Sequence, residues 1–150
     1  MSESAPRLPA CQPTDSPPLA ALEGALRERF GGALEGIILY GSCLRHGDLL
    51  EGVVDLYAVV TDYTSAYSGP GLRLANALLP PNVFFLEVPF GGARVRCKCA
   101  VLSLAGLRRG IRLAFESYFW GRFAQPYQVV YARSPERRCE LEEIALDAAE

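Results

Sequence analysis

Ile38-Leu39-Tyr40-Gly41-Ser42, followed after a polar connection by Val53-Val54-Asp55-Leu56-Tyr57-Ala58-Val59-Val60-Thr61, is the stretch that decides the fold of this chain. The first segment ends a short apolar strand over Leu34 to Tyr40, stopped by Gly41-Ser42, and the second is a β-branched run of strand length. Two such runs predict strands paired in one sheet. An ionised carboxylate among Val53, Val54, Leu56 and Val59 is costly unless it meets a cation, which marks Asp55 for function. At a strand end, a glycine lets backbone approach a phosphate closely, and the Ser42 hydroxyl and nearby amides can donate to its oxygens. A carboxylate on the next strand suits Mg²⁺, which shares its hard oxygen preference with phosphate. Gly-Ser turns also occur as plain structural turns, so the spacing to Asp55 carries more weight than the dipeptide.

Outward from this stretch, Pro17 to Phe30 places Leu19, Leu22, Leu26 and Phe30 at helical spacing and ends at Gly31-Gly32. A helical pattern runs through residues 66–80 to Pro80-Pro81. Val83 to Val88 and Ala93 to Val101 read as a hairpin around Phe90-Gly91-Gly92. Ser103 can cap a long helix with Leu104, Leu107, Ile111, Phe115 and Tyr118 on one face. Gln128 to Ala132 adds a last short strand, and Ser134 or Pro135 opens an acidic helix. The class is α/β, a mixed sheet covered by helices.

The chain has 150 residues, half of them apolar and 21% charged, which excludes an intrinsically disordered protein and suits one domain. No apolar run approaches the ~18 residues of a membrane span. Residues 1–18, rich in Ser and Pro, read as a disordered leader to a domain over residues 19–150. Five cysteines (Cys11, Cys43, Cys97, Cys99 and Cys139) with one histidine, His46, do not assemble a zinc site. Their odd number, without a signal peptide, indicates a reducing, cytoplasm-like compartment, with Cys97 and Cys99 alternating onto one face of a strand as small buried thiols.

Nucleotidyltransferases of the polymerase-β type show Gly-Ser followed by Asp-x-Asp on the adjacent strand; here the first of those positions is Val53 and the second Asp55. The chain more closely resembles the phosphatidate cytidylyltransferases of the mitochondrial translocator assembly and maintenance type, which carry a single aspartate there. The resemblance rests on Tyr40-Gly41-Ser42, on Val53-Val54-Asp55-Leu56 with Val60 and Asp62, and on Val83-Phe84-Phe85. It continues through Lys98 before Val101-Leu102-Ser103, and Ser117-Tyr118-Phe119-Trp120-Gly121-Arg122-Phe123-Ala124-Gln125-Pro126. Cys43, Leu86 and Gln125 depart from the family pattern. The resemblance implies a polymerase-β-like nucleotidyltransferase core that moves CMP from CTP to phosphatidic acid, giving CDP-diacylglycerol and pyrophosphate. Tyr40, Gly41, Ser42, Lys98 and Arg122 would then contact nucleotide, Asp55 and Asp62 would hold Mg²⁺, and Asp55 and Lys98 would be catalytic. It also implies a peripheral position on the inner membrane face, on the mitochondrial matrix side if the source is eukaryotic. Family members extend into a further helical region, so a missing C-terminal region or a second chain is implied as well. A nucleotide-binding domain without turnover, or a transferase with another acceptor, stays open.

Lys98 is the chain's single lysine and sits oddly on a strand for a solubilising charge, which favours a phosphate partner. Arg122 suits a bidentate phosphate contact or an ion pair with the last helix. Glu87, on a strand expected to be central, is a candidate third carboxylate, against an exposed strand end. The formal charge of −2 conceals a basic middle: residues 93–138 hold ten basic and two acidic side chains, and residues 139–150 hold five acidic and no basic ones. Arg108, Arg109 and Arg112 lie opposite the apolar face of their helix. They would meet an anionic membrane surface or be neutralised by the acidic last helix. Nucleic acid is not expected, because exposed aromatics are not interleaved with these arginines.

Overall fold

The computed structural model describes residues 16–41, 49–50, 52–66, 82–112 and 127–149. Ser42, Cys43, His46, Arg122 and nearly all of the helical pattern expected over 66–80 lie outside them, as do most of the leader and the side chain of Arg112.

Helix α1 (Pro17–Phe30) starts with prolines in its first turn, where a missing N–H costs nothing, and buries Leu19, Leu22, Leu26 and Phe30. It stops at Gly31, whose φ of 54° a side chain would resist and whose N–H reaches the Arg27 carbonyl. A short 3₁₀ turn leads into β1 (Leu34–Tyr40), buried along its whole length. Strand β2 (Val53–Val60) and a single turn of helix, α2 (Tyr63–Ala66), follow. Strands β3 (Asn82–Phe90) and β4 (Ala93–Ser103) form the expected hairpin, turned by Gly91 and Gly92, both at positive φ as a two-residue turn matched to strand twist requires. Helix α3 (Leu104–Arg112) is capped by Ser103, whose Oγ accepts the Gly106 N–H at 2.9 Å. Strand β5 (Tyr127–Ala132) precedes α4 (Pro135–Ala149), capped by Ser134 at the Arg137 N–H.

The five strands form one sheet in the order β3-β4-β2-β1-β5. All pairs are antiparallel except β2 with β4, so the sheet is mixed, as expected. One face carries Ile37, Leu39, Val54, Leu56, Cys97 and Cys99 against α1. The other carries Ile38, Tyr40, Tyr57, Val59, Ala100 and Leu102 against α3 and α4. Fully burying Leu22 and Leu26 contributes about 1.5–3 kcal/mol each, so α1 is held by packing more than by its own propensity. Gly36 permits the close approach of α4, since a Cβ there would stand 2.3 Å from Leu141 Cδ1.

Strand order overturns one expectation. Glu87 lies on β3, an edge strand, where it pairs with Arg94 at 3.0 Å and Arg96 at 3.2 Å across the hairpin. It is an exposed strand residue that braces the hairpin.

Candidate functional site

Register brings three of the sequence-predicted residues, Tyr40, Asp55 and Lys98, into one row. Tyr127 pairs with Tyr40, Tyr40 with Asp55, Asp55 with Lys98, and Lys98 with Phe85. Directly paired residues share a sheet face, so five side chains from five strands point to the face that also carries α3 and α4. The helices cover the rows through Tyr57 and Val59. Beyond them, Asp55 and Lys98 are half-buried, while Val53 and Phe85 are exposed. The open end of this face is the candidate site.

Gly41 closes β1 at a φ of 92°, and a Cβ there would stand 3.1 Å from Asp55 Oδ2. The glycine therefore does two things: it adopts a left-handed backbone, and it leaves space directly against the carboxylate. Tyr40 lies deeper than its expected nucleotide contact requires. It is 4% exposed, and its ring stacks on Tyr57 with centroids 4.7 Å apart. It acts as the wall beneath the site. At the edge of the row, burial and then the Glu142 charge push the Tyr127 phenol above its ordinary pKa.

Asp62 does not join Asp55. Strand β2 runs five residues, roughly 16 Å, past Asp55 before the chain leaves the sheet, and the Asp62 carboxylate instead accepts the Ser65 N–H at 2.7 Å at the start of α2. The two aspartates cannot share one ion, which corrects the expected metal pair. No group of three or more His, Cys, Asp or Glu side chains suited to a metal occurs among the described residues. The donors fit Mg²⁺ only in its nucleotide-borne form, in which one carboxylate and substrate phosphates complete the shell. Asp55, with the space left by Gly41 against it, can supply that carboxylate.

Cys97 and Cys99 flank Lys98 but face the opposite way, buried as free thiols in the α1 core. Burial pushes the Cys97 thiol up to about 11 and the Cys99 thiol further. Neither acts as a nucleophile at neutral pH.

The sequence reading missed a second polar cluster. Glu35, inside β1, has a side chain 3% exposed, and its carboxylate accepts from Thr61 Oγ1 at 2.8 Å, Arg133 at 3.1 Å and Arg137 Nε at 2.8 Å. Register shifts between Leu34 and Gly36, so Glu35 is the extra residue of a bulge at the end of β1 opposite Gly41. Arg137 also contacts Glu140, and Glu140 pairs with Arg108. A charged residue in the otherwise apolar run LEGIILY was the available signal. The chain of pairs ties Arg108 to Glu140 of the acidic last helix, although its side chain, like Arg109, stays exposed. A shallow cleft of about 560 Å³ lies near this cluster, lined by Arg27, Gly31, Gly32, Tyr131 and Arg133. Its arginines are already committed: Arg27 lies 4.9 Å over the Tyr131 ring, and Arg133 serves Glu35 and the Gly32 carbonyl.

No protein-family model matches the chain, and no curated protein matches it. Among solved structures it is similar to a nucleotidyltransferase-like protein from Exiguobacterium sibiricum 255-15, with a TM-score of 0.48 and 12% identity. The alignment covers 83% of this chain and 37% of that one, so the chain spans well under half the length of this structural neighbour.

Proposed function

We propose that the chain is a nucleotidyltransferase-like domain that binds CTP through its phosphates at the open end of the sheet and transfers CMP to phosphatidic acid. The observation that carries the phosphate reading is the placement of Asp55 between Gly41 and Lys98 on one partly open face. The acceptor and the base come from the sequence resemblance. Lys98 donates to phosphate oxygens, and the bare Gly41 backbone admits a phosphate against Asp55. Mg²⁺, when bound with the nucleotide, supplies neutralisation of phosphate charge at Asp55. An oxygen of the phosphatidate phosphate forms a bond to the α-phosphorus of CTP, the bond to the β-phosphate oxygen breaks, and pyrophosphate leaves. The nucleophile is already an anion, so no strong general base is needed. Ser42 and Arg122 belong to the proposed nucleotide contacts by resemblance. The lipid acceptor places the chain peripherally on an anionic membrane surface, on the inner face or matrix side, with Arg109 as the exposed contact. No described helix is long and apolar enough to cross a membrane.

A second reading, nucleotide binding without turnover, is favoured by one observation: Asp62, the other expected metal ligand, lies past the far end of β2, where its carboxylate accepts the Ser65 N–H. Incubation with labelled CTP, Mg²⁺ and phosphatidic acid in mixed micelles separates the two. Lipid-dependent pyrophosphate release abolished in Asp55→Ala supports transfer; CTP binding without release for any acceptor supports the second reading. Release that persists undiminished in Asp55→Ala refutes the assignment of Asp55.

A further inference from the structure

Strand β3 carries two adjacent phenylalanines with opposite fates. Phe84 packs toward α1, its ring 6.2 Å from Phe30 and 4.1 Å beneath the Arg29 guanidinium. Phe85 points to the other face and is 73% exposed, the most exposed large apolar side chain among the described residues. Nothing in the fold of the hairpin requires an aromatic there, since the register is already held by the Glu87 ion pairs and by the buried side of both strands.

The register gives that ring a specific neighbourhood. Phe85 stands opposite Lys98, and Lys98 stands beside Asp55. Neighbouring strands lie about 4.8 Å apart, which puts Phe85 one strand from the lysine and two, about 10 Å, from the carboxylate. A nucleotide whose phosphates rest on Asp55 and Lys98 has its sugar to span the intervening distance. Its base then reaches the edge of the sheet, where Phe85 lies. On the same strand and face, the ring is flanked by Val83, 37% exposed, and by Glu87, already held by two arginines. An apolar, flat and partly solvated surface beside a phosphate site is what a base needs to stack.

We propose that Phe85 is the stacking platform for the base of the nucleotide bound at Lys98 and Asp55. This rests on the phosphate reading of that site and extends it by assigning the base. Stacking supplies affinity for any base, so discrimination in favour of cytosine comes from hydrogen-bonding groups other than this ring.

The test compares CTP with inorganic tripolyphosphate, which has the phosphates and no base, by calorimetry on the full chain with Phe85→Ala, Phe85→Leu, Phe85→Tyr and Lys98→Met variants. Phe85→Ala and Phe85→Leu should weaken CTP binding about 5- to 150-fold, the range that aromatic stacking on a base supports. Both should leave tripolyphosphate binding within about twofold, as a residue touching only the base requires. Phe85→Tyr, which keeps a ring, should restore CTP binding, and Lys98→Met should weaken both ligands. The exposed position means that none of the Phe85 variants should shift Tm. If Phe85→Leu binds CTP as tightly as the parent, the ring is not a stacking platform. If Phe85→Ala weakens CTP and tripolyphosphate equally, Phe85 acts on the phosphates or on the fold and the proposal also fails. If the parent binds neither ligand, the phosphate reading itself is overturned, and the base assignment falls with it.

Discussion

Replacing Glu35 by alanine should destabilise the protein without altering nucleotide affinity in the molecules that remain folded. The carboxylate is almost fully buried and accepts three hydrogen bonds, two of them from arginines anchored at the end of β5 and on α4. Removing one partner of a fully buried ion pair costs about 3–5 kcal/mol, largely because the other charge is left buried and unpaired. Here the stranded charges are less buried: the Arg133 side chain is 48% exposed and that of Arg137 26%. Both can recover water, and Arg137 keeps Glu140. The expected loss is therefore about 2–4 kcal/mol for Glu35→Ala, and about 1–2 kcal/mol for Glu35→Gln, which keeps the shape and one acceptor. Urea unfolding at constant m measures the change. A double-mutant cycle with Arg137→Ala should return a coupling energy of at least about 1 kcal/mol, because the two groups are in direct contact. A Glu35→Ala variant within 0.5 kcal/mol of the parent, about the ordinary scatter of surface substitutions, would refute the view that this bulge ties β5 and α4 to β1. CTP affinity provides the other arm, since Gly41 lies at the far end of the same strand.

Gly41→Ala introduces a Cβ at a φ of 92° and 3.1 Å from Asp55 Oδ2; it should cost about 1–2 kcal/mol of stability from backbone strain and weaken CTP binding by more than the same substitution at Gly52, whose Cβ would meet only open space. The raised thiols predict an alkaline loss of stability. Above the unfolded-chain pKa the unfolded cysteine loses its proton while Cys97 keeps it, so the native state holds more protons and stability falls as pH rises from about 9 to about 11. The slope should be about 1.4 kcal/mol per pH unit for each such thiol, and Cys97→Ala or Cys99→Ala should flatten it in urea titrations across that range. For the basic helix, Arg109→Glu should reduce sedimentation with anionic liposomes more than Arg108→Glu, since Arg108 is paired with Glu140; equal behaviour of both variants and the parent would remove the membrane role of this face.

Local pattern alone made the strands, the hairpin turn and both helix caps legible, because each depends on neighbours in sequence. Alternation within β4 puts Lys98 on the face away from the thiols, and Gly41 could be placed at a strand end from its flanking residues. What sequence order could not supply was which strands lie side by side. The parallel pairing of β2 with β4 joins segments some forty residues apart, and only that pairing sets Lys98 against Asp55 and sends β3, with Glu87 and Phe85, to the edge. The same limit separates the two aspartates: Asp55 and Asp62 are close in sequence, yet an extended strand carries them to opposite ends of the sheet. Glu35 could be read only as a polar residue in an apolar run, since its arginine partners come from just after β5 and from α4, about one hundred residues away. Periodicity dictates which face a side chain takes, but burial of the two apolar faces by α1 and by α3 with α4 selects strand order and register. That selection decides which charged groups meet.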